Sequence, residues 1–244
     1  MDEYKIGISP RALARFAGVL YLLNIILGAY GELGIRQRIF SRDAATTAAN
    51  LHAMESLWRL GIASEMFLLL TGVLLAVILY VLLRPVDRPL TLLALVFCLM
   101  GAAIEASAAM YLIGALFPLG SDVYLKAFTP DQLNAMTSVA IKAHTYGFGV
   151  SLLFFACYQI TIGVVIFRSG YLPKLVGVLM QIGGLGYLIN NFALILNPSI
   201  TSWLFPVTAV PALLGELSLC LFLLFKGLNL LKYQEMLATR TSAG

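Results

Sequence analysis

The 244-residue chain is 60% hydrophobic and only 11% charged, whereas ordinary soluble domains carry about 25% charged residues. Composition therefore excludes a soluble globular domain and leaves a polytopic membrane protein. The net charge of +4 is scattered instead of forming one basic stripe, which suits flanks that meet anionic lipid head groups and argues against nucleic acid as a partner.

A spanning helix needs roughly 20 mainly apolar residues, and six runs qualify. The first, 11–33, ends near Ala29-Tyr30-Gly31, a loose likeness to a cleavage site, but it is too long for a signal-peptide core and is expected to be retained. Asp43 is placed to cap a helix that continues through the second run, 57–83. Its opening stretch holds His52, Glu55 and Arg59 at i, i+3 and i+7. Glu55 and Arg59 have the favourable i, i+4 order for an ion pair on a solvated face, with a basic rim of Arg59, Lys142 and His144 as the functional alternative. The turn Arg84-Pro85-Val86-Asp87-Arg88-Pro89 leads into the third run, 89–117.

Thr129-Pro130-Asp131-Gln132 has the form of a capping box, so the helix holding the fourth run, 138–168, is expected to begin near 130. Its length would then be about 58 Å, nearly twice the hydrocarbon thickness. Arg168-Ser169-Gly170-Tyr171-Leu172-Pro173 forms the corner before the fifth run, 172–196, and the sixth occupies 206–231. The expected fold is all-α: one transmembrane helical domain over 1–244, with six spanning helices, some extended beyond the outer membrane face.

Orientation follows from the basic residues. With the N-terminus cytoplasmic, ten of the sixteen lie inside: Lys5, Arg11, Arg15, Arg84, Arg88, Arg168, Lys174, Lys226, Lys232 and Arg240. This asymmetry favours both termini inside. Arg36, Arg38 and Arg42 crowd the first outer loop, against the trend. Cys98, Cys157 and Cys220 fall in separate apolar runs without a C-x-x-C pair, and read as small buried residues.

Counting about 1.5 Å per residue from the inner ends puts Glu65 about 27 Å up, Glu105 about 24 Å, Asn191 about 28 Å and Asn24 about 20 Å. Glu216 sits lower, at about 15–22 Å. Gly61 and Gly72 lie near the Glu65 stripe, Gly101 and Ala109 flank Glu105, and Gly215 adjoins Glu216, so the carboxylates are predicted to face other helices and not lipid. Glu65, Glu105, Glu216, Arg59, His144 and Asn191 are the candidate ligand-binding residues. No metal site is expected: His52-x-x-Glu55 with His144 offers suitable atoms, but the two histidines come out about 10 Å apart in height. No nucleotide-binding or hydrolase motif is present, and no cofactor or catalytic residue is indicated.

The stretches RALARFAGVLYLL at 11–23, ESLWRLG at 55–61, FRSGYLPKLVG at 167–177 and GELSLCLFLLFKGL at 215–228 resemble an uncharacterised bacterial multi-pass membrane family known as a domain of unknown function. The resemblance covers nearly the whole chain and implies a bacterial inner-membrane location, with no catalytic residues to carry over. The leading expectation is an outward-facing polar cavity that binds or transports a small, cationic ligand or protons. A membrane-embedded enzyme using a buried carboxylate with His144, and a structural or accessory subunit, are the alternatives. Membrane lipids and a small-molecule or ion ligand are the expected partners, and homo-oligomerisation is left open.

Overall fold

The computed structural model describes residues 9–241, and six of its helices are long and apolar enough to cross a membrane. Lys5 lies outside the described residues, as does the side chain of Arg240. No strand occurs among the described residues, so the expected all-α membrane bundle is what the chain forms.

Helix α1 (Pro10–Ala29) starts where Ser9 accepts the Ala12 N–H and Pro10 fills the first turn. It passes directly into a π-helical segment, Tyr30–Arg36, and a short helix α2, Gln37–Ile39. The first span therefore reaches residue 39, past the point at 33 where the apolar run stops. Asp43 caps α3 (Ala44–Ala53), accepting from both the backbone N–H and the hydroxyl of Thr46. Those bonds hold its carboxyl below the usual range.

The expected single helix from Asp43 through 83 is broken at Met54, which leaves helical geometry (φ −117°, ψ 29°) before α4 (Glu55–Leu83) begins. The break lets α3 pack against the fourth span instead of rising in line with α4. Helix α5 covers Arg88–Gly114, and α6 covers Pro130–Ser169. The Thr129/Gln132 capping box is formed, and α6 begins at 130 as its sequence predicts. Helix α7 (Lys174–Leu196) follows, then α8 (Thr201–Leu221), which starts before the predicted 206 and carries Pro206 and Pro211 within it. A π-helical turn, Phe222–Lys226, leads to α9 (Leu230–Thr241).

Neighbours in sequence are neighbours in space, from α4 through α5, α6 and α7 to α8, and α1 closes the ring by packing on both α4 and α8. Close approach depends on glycine. A methyl group on Gly163 would sit 2.7 Å from the Gly177 carbonyl oxygen, and one on Gly177 would sit 2.6 Å from that of Gly163. Helices α6 and α7 therefore touch backbone to backbone. At the short-turn end, the Tyr171 hydroxyl donates to the Leu82 carbonyl at 2.7 Å, Asn229 donates its N–H to the Tyr171 carbonyl, and Arg168 pairs with Asp87 at 3.7 Å. This end is knitted together across four segments.

Candidate functional site

The polar centre of the bundle is built from the first four spans. Helices α5 and α6 approach closely because Ser151 donates to the Gly101 carbonyl and Gly147 faces Ala108. Glu105 lies between these contacts on the same face of α5, so its side chain is directed at α6. Its Oε1 lies 3.8 Å from His144 Nε2. From α4, Glu65 Oε1 approaches the same nitrogen at 3.1 Å.

Arg36 completes the arrangement from the far end of the π-helical segment. Its Nη1 donates to Glu65 Oε2 at 2.9 Å and lies 3.4 Å from His144 Nε2, while its Nε donates to Glu32 Oε2 at 2.9 Å. The guanidinium also sits 5.6 Å from the centroid of the Phe148 ring, and that ring stacks on His144. A π-helical turn takes an extra residue, which re-aims everything after it. Arg36 thereby turns inward to the bundle instead of outward to solvent.

The centre is dry. Glu105 and His144 are 3% and 2% exposed, and Glu105 Oε2 meets no hydrogen-bond partner among the described residues. An apolar cluster that includes Ile35, Trp58, Leu112 and Ile141 packs toward the long-loop end, where Trp58 Nε1 donates to the Leu112 carbonyl. Beside Glu65 and Arg36, a crevice lined also by Gly31, Trp58 and Gly61 has a free volume of about 10 Å³, about one water molecule.

Sequence comparison matches residues 16–227 to a domain of unknown function, DUF4386. The chain belongs to the DUF4386 family. No curated protein and no solved structure matches it, so membership carries no reaction or ligand with it.

Of the six candidate ligand-binding residues, this DUF4386 protein brings together Glu65, Glu105 and His144, whose donor atoms all lie within 4.8 Å of one another. The other three are elsewhere. Arg59 is 62% exposed and paired with Glu55 at 2.8 Å, on the solvated face its spacing predicted. Asn191 donates to the Tyr187 carbonyl of its own helix. Glu216 faces the Tyr187 hydroxyl and interacts electrostatically with Tyr21 and Tyr158, so three helices give it a tyrosine environment of its own.

Arg36 and Glu32 are the DUF4386 residues that sequence reasoning did not place in the site, because Glu32 stands at the very end of the apolar run 11–33 and Arg36 beyond it. Two signals pointed to them: their i, i+4 spacing, and the crowding of Arg36 with Arg38 and Arg42 in a connection that the expected orientation makes an outer loop. The height count also separated His144 from Glu65 by about 9 Å, although the two side chains touch. That count takes every helix as upright and starting from one plane, whereas membrane helices tilt by about 20° on average.

Proposed function

We propose that this DUF4386 protein resides in the bacterial cytoplasmic membrane with both termini inside, and that it binds a small cation, as a binder or transporter, at Glu65, Glu105 and His144. The observation that carries this reading is the convergence of two carboxylates from neighbouring spans on one imidazole of a third, with a buried carboxylate oxygen left unpartnered. Ionisable groups are costly in a bilayer and face partners or ligand paths. Glu32 and Glu65 share the Arg36 guanidinium, and Glu105 has only the His144 imidazole beside it, so the centre is short of positive charge. The basic-residue asymmetry supports the orientation.

Thermal unfolding of the purified protein with a panel of monovalent, divalent and small organic cations tests the reading. A ligand that binds only the folded state raises the midpoint. At least one cation is expected to raise it by several degrees in the native protein and not in Glu105→Gln. If every cation acts equally on both proteins, the carboxylates return to a packing role in an accessory subunit.

A further inference from the structure

We propose that Glu65, Glu105 and His144 are the protein ligands of a divalent transition-metal ion of the zinc and manganese class. This assignment deepens the small-cation reading and rests on it. It starts from a conflict around one atom. His144 Nε2 faces an N–H of Arg36 at 3.4 Å and carboxylate oxygens of Glu65 and Glu105 at 3.1 and 3.8 Å.

If Nε2 carries a proton, that proton opposes the guanidinium. If it does not, its lone pair opposes two carboxylate oxygens. An ion placed among the three donor atoms accepts a lone pair from each and removes the conflict on the carboxylate side. Arg36 remains held by Glu65 Oε2 and by Glu32.

The distances suit such an ion. Ligand atoms bound at about 2.0–2.2 Å to one metal lie about 3–3.5 Å from each other at adjacent positions. The Glu65 pair with His144 Nε2, at 3.1 Å, is within that range, the Glu105 pair, at 3.8 Å, is slightly wider, and all three atoms lie within 4.8 Å of one another, so a small side-chain shift closes the set. Glu105 Oε2, on a side chain 4% exposed, has no protein N–H or O–H donor, and the Glu65 carboxyl lies beside that of Glu105, so the second oxygen is open to a cation. One imidazole and two carboxylates form a mixed nitrogen and oxygen set, which suits zinc, manganese or ferrous iron better than magnesium or calcium. Charge agrees in sign: with the imidazole neutral, ionised Glu65 and Glu105 outnumber the Arg36 guanidinium, which is shared with the half-exposed Glu32, and a cation offsets the excess. Arg36 acts from outside the ligand set by holding Glu65 through its other oxygen, as an orienting partner does at metal centres.

The test uses the full-length protein, purified through a tag without histidine, stripped with chelator and offered Mn²⁺ or Zn²⁺. Metal per chain after desalting, the Mn²⁺ paramagnetic resonance signal and the unfolding midpoint are the readouts, with Mg²⁺, Na⁺ and K⁺ in parallel. The expected result is about one bound ion per chain, at least tenfold weaker in Glu105→Gln and His144→Gln and unchanged in His52→Ala, which removes the exposed histidine. Wild-type retention in Glu105→Gln and His144→Gln would overturn the assignment, as would no retained metal in the native protein. If only a monovalent cation stabilises, in a Glu105-dependent way, the metal assignment falls and the cation-binding reading stands. If no cation of either charge does so, both fall.

Discussion

Glu65 and Glu105, forty residues apart and on neighbouring helices, address the same nitrogen of His144, at 3.1 and 3.8 Å. Groups that share a partner are energetically coupled. In metal-free protein, a double-mutant cycle with Glu65→Gln and Glu105→Gln is expected to give a coupling of about 0.5–3 kcal/mol, read from denaturation midpoints in a fixed detergent. Additive effects would show that the two carboxylates act independently.

Arg36 and Arg59 both pair with a glutamate and predict opposite outcomes. Arg36 is 19% exposed and Glu65 10%, against 62% and 42% for Arg59 and Glu55. Replacing Arg36 with Met leaves a largely buried carboxylate without its counter-charge and is expected to cost about 3–5 kcal/mol. Arg59→Met is expected to cost about 0–1 kcal/mol. Equal losses of stability would place both arginines in the same environment, contrary to their exposure.

Two glycines separate conformational strain from overpacking. Gly170 closes α6 in left-handed geometry (φ 72°) with open space around it, so Gly170→Asn is expected to be tolerated better than Gly170→Val, which should lower folded yield. Gly163 has ordinary helical geometry but no room beside Gly177, so Gly163→Val is expected to cost about 1–3 kcal/mol. Folded yield and thermal midpoint report both. Any cation affinity of surviving Gly170 variants should match that of the native protein, because this corner lies at the opposite end of the bundle.

The proposed orientation puts the long connections outside. Cysteines introduced at the exposed Ala45 and Ser121 are expected to react with an impermeant thiol reagent in intact cells. Reaction only after permeabilisation would reverse the topology, and the polar centre would then open toward the cytoplasm.

Helix existence was readable from apolar run length, and the limits of α6 were readable from its capping box and its glycine corner. The meeting of Glu65 with Glu105 was also legible, because a tight hairpin makes α4 and α5 neighbours and the two residues lie at similar counts from it. Lateral placement was not. Residue type and a glycine neighbour grouped Glu216 with them despite its lower count, whereas α8 packs against α7 and α1, and its carboxylate faces the tyrosines. Arg36 escaped notice because a π-helical turn has no simple hydrophobic signature, and without that turn an arginine beyond the end of an apolar run reads as loop.

Helix α6 is forty residues without an internal break, about 60 Å of continuous rod. It carries His144 in the four-span centre and, fourteen residues on and about 21 Å along the axis, Tyr158 beside Glu216. These two centres are thus geared to one shaft: a rotation of α6 that withdraws His144 from Glu65 swings Tyr158 through the same angle, and neither neighbourhood can be rearranged by that motion without the other.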